Sequence, residues 1–232
     1  MHSWLPTVTA LLAAAAAIAS PVPKFVGCDI SKLSIPPALF ADPNNASNVL
    51  AAPTRREKLM KVVVGYGTQN YTCTNGAAVA NGAVATLYDI SCFTSNSGLS
   101  DLLAPLAVQA EPTFQSTCVK AFSTLMGAQF SVGIHYFKGD FTTPAFEFTD
   151  RTKFYGGVAG RVPAPLNANK GKAPLNFGAV PSLRLAEKPG MGSTYSSVYR
   201  LSTAGGSPSP TCTEGKKFTI PYAAQYWFYK TV

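Results

Sequence analysis

Three carboxylates, one histidine and one aromatic run are the side chains of this sequence best suited to chemistry. Acidic residues are scarce, 11 in 232, so Glu111, Glu147 and Asp150 stand out as candidates for a glycosidase pair. That reaction needs one carboxylic acid to protonate the leaving oxygen and one carboxylate to attack or to activate water. Sequence separation sets no distance between them, so the pattern permits the chemistry without requiring it. Apart from His2 in the leader, His135 is the sole histidine, and a Ser–His–Asp triad or a histidine metal site would have to use it. No Gly-x-Ser-x-Gly elbow accompanies it, and no second histidine offers a metal pair. No metal and no cofactor are therefore expected. Alternation through 130–137 places His135 with Ser131 and Gly133, opposite Val132, Ile134 and Tyr136. That pattern favours a structural histidine.

The densest aromatic cluster is Tyr222-Ala-Ala-Gln-Tyr226-Trp227-Phe228-Tyr229. Alternation separates Tyr222, Tyr226 and Phe228 from Gln225, Trp227 and Tyr229. Trp227 and Tyr229 could stack on sugar rings as a binding platform; a strand buried on both faces is the favoured competitor. A second stretch, Lys61 to Cys73 (KVVVGYGTQNYTC), invites a dinucleotide reading, since a strand leads into Gly65-Tyr66-Gly67 and Asp89 ends the next strand. Asn70 occupies the place of the third glycine, where close packing of helix on strand needs a minimal residue. Residues 71–82 are turn formers and cannot supply the helix whose N-terminus would hold a pyrophosphate. The glycines are better read as a bend or bulge in a strand. Beyond them, Gln69, Tyr71 and Cys73 share one face, with Asn70 and Thr72 on the other.

The elements that must position these groups are mostly strands. After Val62-Val63-Val64, a second strand runs from Ala83 to Tyr88, with Asn81-Gly82 as a turn before it. Segments 130–137, 145–148, 154–162, 182–187, 194–202 and 218–229 follow, separated by Gly, Pro and Asn clusters. Ser100 can cap a short helix through Leu102, Leu103 and Leu106. Phe114, Cys118, Ala121, Phe122 and Leu125 mark one face of a second helix over 113–126. The expected fold is a single mainly β domain over 61–232, an antiparallel sandwich or barrel with the sandwich preferred, and one or two short helices in an insert. Residues 20–60, rich in Pro and Asn, form an extended arm over it.

Residues 1–19 read as a secretory leader, with an apolar run at Leu11–Ile18 and small residues Ala17 and Ala19 at the cleavage positions. The run is too short to span a bilayer, which takes about 20 residues. An exported protein without a membrane span is expected. Charged residues make up 13% of the chain, against roughly a quarter in average usage, which suits an extracellular β fold. The net charge is +8, yet the bases are spread: Arg55, Arg56, Lys58 and Lys61, then Lys170/Lys172 and Lys216/Lys217. A nucleic-acid binder would concentrate them with interleaved aromatics, so none is expected. Solubility, or adhesion to an acidic wall or matrix, is the plainer account. Five cysteines (Cys28, Cys73, Cys92, Cys118 and Cys212) point to disulfides with one thiol left over, in a pairing that spacing leaves open. Asn45-Ala46-Ser47 and Asn70-Tyr71-Thr72 are glycosylation acceptors for the same compartment.

Several of these segments together resemble one family. GYGTQNYTC at 65–73, GAVATLYD at 82–89 and GIHYF at 133–137 are similar to the DUF3455 family. So are Val198-Tyr199-Arg200, Thr203-Ala204-Gly205-Gly206, Pro210-Thr211-Cys212 and PYAAQYWFY at 221–229. The likeness spans most of 25–229 and is closest to the fungal secreted branch. It implies no activity; the malate dehydrogenase label borne by some fungal members finds no support in the glycine pattern here. Bacterial-type members keep Tyr-x-Cys and the late cysteine, which implies a Cys73–Cys212 bridge. Cys28–Cys92 is then the second pair, with Cys118 the odd thiol. Where bacterial members read His-x-x-Gly-Pro-Thr-Trp, this chain has His135-Tyr136-Phe137-Lys138-Gly139-Asp140 and only later Thr143-Pro144-Ala145-Phe146. A shared histidine site is therefore not implied. The expectation is a secreted, disulfide-bonded glycoprotein that binds cell-wall polysaccharide or a host surface and is not an enzyme. A secreted carbohydrate-active hydrolase is the alternative, and an effector acting on a host a third. Nothing in the sequence sets an oligomeric state.

Overall fold

Val62, Val63 and Val64 are each at most 2% exposed, which requires apolar surroundings on both faces of their strand. A computed structural model shows how both are supplied. It describes residues 29–94, 131–139 and 141–232, with helical residues at 101, 103–105 and 108. A small hairpin, β1 (Ala41–Asp42) and β2 (Asn45–Val49), lies in the arm. Eight longer strands follow: β3 (Glu57–Thr74), β4 (Ala77–Asp89), β5 (Ser131–Lys138), β6 (Thr143–Phe148), β7 (Lys153–Val162), β8 (Ser182–Glu187), β9 (Ser197–Gly205) and β10 (Lys217–Thr231). They form one antiparallel sheet in the order β10-β3-β4-β5-β6-β7-β8-β9 that closes on itself.

The sheet is thus a barrel and not the preferred sandwich. The reason is the pairing of its first and last strands, which runs from Thr72 opposite Lys217 to Glu57 opposite Thr231. A sandwich would leave those two strands as unpaired edges; closure removes them. Closure needs sharp coiling, and bare backbone permits it. A Cβ on Gly67 would fall 1.9 Å from the Val84 carbonyl oxygen, and one on Gly133 would fall 2.3 Å from that of Glu147. No bulge falls at Gly65 or Gly67, and β3 runs unbroken from Glu57, five residues before the expected start at Val62. The two glycines let neighbouring chains approach it. The irregularities lie elsewhere. Asn81-Gly82, expected as a turn, is a bulge inside β4 opposite Asn70, between the Gln69–Ala83 and Tyr71–Ala80 pairs, with Gly82 at φ +116°.

Two cores result. Inside the barrel, Val63, Leu87, Phe146, Phe154, Tyr222, Tyr226 and Phe228 pack together. Outside it, Val62, Val64, Tyr199, Leu201, Trp227 and Tyr229 form a second layer beneath Ile35 and Leu50 of the arm and helical Leu103, Ala104 and Val108. Phe40 meets Tyr199 edge-on at 5.7 Å, and the Tyr199 hydroxyl donates to the Ala51 carbonyl at 2.6 Å. The second helix expected over 113–126 lies outside the described residues.

The loops segregate by end. The 75–76 turn, the 139–142 turn and the 163–181 and 206–216 loops share one end, called here the disulfide end because Cys73–Cys212 closes it. That bridge spans 139 residues and constrains the unfolded chain, a stabilisation of about 2–5 kcal/mol. Cys92 is also disulfide-bonded. Cys28 and Cys118 lie outside the described residues.

Candidate functional site

Alternation along β5, β6 and β7 turns Ile134, Tyr136, Glu147, Lys153 and Tyr155 to the outside of the barrel, away from the arm. Register then brings them together: Ile134 lies opposite Glu147 and Glu147 opposite Lys153, while Tyr136 and Tyr155 flank Ala145. The Tyr136 and Tyr155 hydroxyls both donate to Glu147 Oε1, at 2.7 and 2.5 Å. These two bonds, that of Tyr155 foremost, hold the Glu147 carboxyl below its usual range, with the Lys138 and Lys153 charges assisting. In return the Tyr155 phenol is pushed up to about 12. Its ring lies under the Lys138 ammonium, 4.3 Å from the centroid, with Lys153 Nζ at 5.6 Å. Around this group the wall exposes apolar surface: Ile134 is 50% exposed, and Val84 of β4 55%. The assembly is an oriented, ionised carboxylate on a partly exposed sheet face, with Tyr155 itself only 7% exposed.

The other predicted residues are placed differently. Asp150 sits in the β6–β7 turn, where its Oδ1 accepts from the Thr152 N–H and hydroxyl. Its Oδ2 pairs with Lys61 Nζ at 2.7 Å. Lys61 reaches it because alternation with Val63 turns its side chain to the inner face, opposite Phe228, 4.1 Å above the Phe148 ring. Asp150 is thus a turn-former and ion-pair partner. Its carboxyl, like that of Glu147, lies below the usual range: partial burial pushes it up, and the Lys61 and Thr152 hydrogen bonds outweigh that. A glycosidase acid needs the opposite shift, and the two described carboxylates sit in different settings, Glu147 on the outer wall and Asp150 in the β6–β7 turn. Glu111 lies outside the described residues.

His135 points into the barrel and is 3% exposed. Its Nδ1–H donates to the Ala145 carbonyl at 2.8 Å, and the ring stacks on Phe146 at 4.1 Å. Burial pushes its pKa down to about 4, and nearby Arg200 pushes it the same way. A neutral ring locked in the core is a packing element. Trp227 and Tyr229 offer no sugar platform either. Each is 5% exposed beneath the arm; the Trp227 indole donates to Gln225 Oε1 at 3.0 Å, and Tyr229 meets Tyr199 edge-on at 5.6 Å. Their strand is buried on both faces. Asn45 is exposed on β2, and Asn70 is half-buried on the outside of β3, its Oδ1 accepting from the Thr68 hydroxyl. Among the described residues no cluster of His, Cys, Asp or Glu could hold a metal, and no helix is long and apolar enough to cross a membrane.

Sequence reasoning singled out Glu147 but missed Tyr136 and Tyr155, the residues that define its environment. Alternation does put Tyr136 on an outward face. Only the register of three strands shows that both tyrosines reach one carboxylate.

A family model described as a protein of unknown function, DUF3455, matches residues 53–230. The chain belongs to the DUF3455 family. The span matched in this DUF3455 protein takes in β3 through nearly all of β10, and so the whole barrel, while the β1–β2 hairpin lies before it. Cys73, Cys212 and the Tyr136–Glu147–Tyr155 group all fall inside the match. No curated protein and no solved structure matches the chain.

Proposed function

We propose that this DUF3455 protein is an extracellular, cell-wall-associated protein that binds polysaccharide through the outer wall formed by β5, β6 and β7. The observation that carries the reading is the Glu147 carboxylate, fixed by two tyrosine hydroxyls on a partly exposed sheet face beside exposed Ile134 and Val84. A sugar ring presents hydroxyls at its edge and C–H groups on its face. An ionised carboxylate makes strong hydrogen bonds to such hydroxyls. Neighbouring apolar and aromatic side chains suit the C–H face. Because Glu147 is already held in place, binding does not pay to order it. Export is supported by the leader-like first 19 residues and by the Cys73–Cys212 bridge, since disulfides persist in oxidising compartments.

The test is retention of the purified protein on chitin, β-glucan and cellulose at low and high salt. Retention on at least one polymer that survives high salt is expected, and Glu147→Ala should weaken it about tenfold, as for a lost charged hydrogen bond. Absence of retention on all three polymers would overturn the proposal. Retention that vanishes with salt would show general charge attraction instead. Release of soluble sugar would favour the hydrolase, against the lowered pKa values of both described carboxylates.

A further inference from the structure

The disulfide end of the barrel combines two features that folding alone does not call for. Its loops expose large apolar side chains: Phe141 at 59%, Leu166 at 75% and Phe177 at 44%, with Val79 at the start of β4 at 51%. The same end carries exposed Arg161, Lys170, Lys216 and Lys217, with half-buried Lys138 beside the Phe141 turn. Among the described residues of these loops Glu214 is the single acid. The opposite end is basic too, with Arg55, Arg56, Lys58, Arg151, Lys188 and Lys230, but among its described residues the exposed large apolar ones are Met60 and Val232, neither of them aromatic. Phe141 is also held at φ +55°, a backbone region unfavourable for a residue with a side chain. Its ring edge lies over Gly82, yet 59% of the residue remains in water.

These loops are tied down. The Cys212 N–H donates to the Gly76 carbonyl and the Gly215 N–H to that of Cys73, flanking the disulfide. In the longer loop, Gly205 N–H donates to the Asn169 carbonyl, Gly178 N–H to that of Lys170, and Ala179 bridges to Gly206. Arg200 donates to the Pro181 carbonyl through both Nε and Nη2, at 3.1 and 2.9 Å. The cations and apolar tips are therefore presented with little left to order on binding.

Apolar tips ringed by cations fit an interface that is negatively charged outside and apolar beneath. We propose that the disulfide end docks on an anionic lipid bilayer, with Phe141, Leu166 and Phe177 entering the interface and Arg161, Lys170, Lys216 and Lys217 lying against its headgroups. An acidic polysaccharide would satisfy the cations but not the tips, which carry no hydrogen-bonding group. This site shares no residue with the polysaccharide wall, and either can fail alone.

Co-sedimentation of the full secreted chain with phosphatidylcholine vesicles, with and without phosphatidylserine, tests it. Binding to the phosphatidylserine vesicles is expected, with little to phosphatidylcholine alone. K216E/K217E should lower the affinity by about fivefold per charge removed or more. F141S/L166S should lower it at least about tenfold, including the part that persists at high salt. Both double variants should unfold at the wild-type temperature and keep wild-type retention on the neutral polymers, since these side chains are exposed and lie outside that wall. No sedimentation with either vesicle overturns the proposal. So does binding that F141S/L166S leaves unchanged, or capture by polygalacturonate in the absence of any vesicle binding.

Discussion

Two walls of one barrel carry aromatic side chains outward, and they meet opposite fates. On β9 and β10 the outward residues Tyr199, Trp227 and Tyr229 disappear beneath the arm. On β5 to β7 the outward Tyr136 and Glu147 stay half-exposed beside Ile134, and of that wall's outward aromatics Tyr155 alone is buried, at 7% exposed. Aromatic density would have ranked them the other way. What separates them is a covering segment from elsewhere in the chain. A rich aromatic strand can simply be core on both faces, while a sparse one can be the exposed surface. The sparse wall also shows the polar pattern expected of recognition: one charged acceptor with two donors set on it. The rich wall spends its polar atoms on internal contacts such as Trp227 to Gln225.

The sharpest way to break this contrast is truncation on the covered wall. Trp227→Ala should destabilise the fold by about 3–5 kcal/mol, as for other large buried aromatics, read from urea unfolding. A loss of under about 1 kcal/mol would mean that the arm does not seal that wall.

Next comes the inner side of the open wall, where His135 sits. Its folded pKa near 4 lies below the ordinary 6.5, so the unfolded chain binds the proton more readily. The resulting stability is fully present above pH 6.5 and drains away as pH falls toward 4, by up to about 3 kcal/mol. Unfolding curves across that window should show the slope in the wild type and lose it in His135→Gln. An NMR titration with His135 protonating near 6.5 would contradict the packed interior.

A smaller effect probes the carboxylate on the outer face. Tyr155→Phe removes one hydrogen bond to Glu147, at a cost of about 1 kcal/mol. It should also raise the Glu147 pKa toward the usual range, visible in a carboxyl NMR titration. If that pKa stays put, the two tyrosines do not govern the site. Smallest of all, Asp150→Asn should cost about 0.5 kcal/mol in the pair with Lys61, because the aspartate side chain is half in solvent. A loss many times larger would restore Asp150 as more than a turn residue.

Much of the strand layout was legible in the sequence. Residues 182–187 match β8 end to end, and every other barrel strand overlaps its expected segment, because period-two alternation and the turn residues between strands are local signals. Closure was not legible. It depends on Glu57 meeting Thr231 and Thr72 meeting Lys217, and no local pattern encodes a partner so far along the chain. Bulges also defeated local reading: Asn81-Gly82 has turn chemistry, yet the strand passes through it. At the site, Glu147 stood out because acids are rare. Its tyrosines emerged only through register, and Trp227, favoured as buried from the aromatic density of its strand, owes its cover to residues some 180 positions away, around Ile35 and Leu50.

The pairing of β3 with β10 also has a consequence in time. β3 emerges early in synthesis, and its partner is the last strand of the barrel to appear. Until Lys217–Thr231 has been made, β3 and β9 each carry a bare edge able to pair with another chain. Sheets built on such distant pairings fold slowly and stay exposed to aggregation meanwhile. The protein therefore depends during its birth on whatever shields unfinished chains in the compartment where it folds, and only its final fifteen-residue strand ends that dependence.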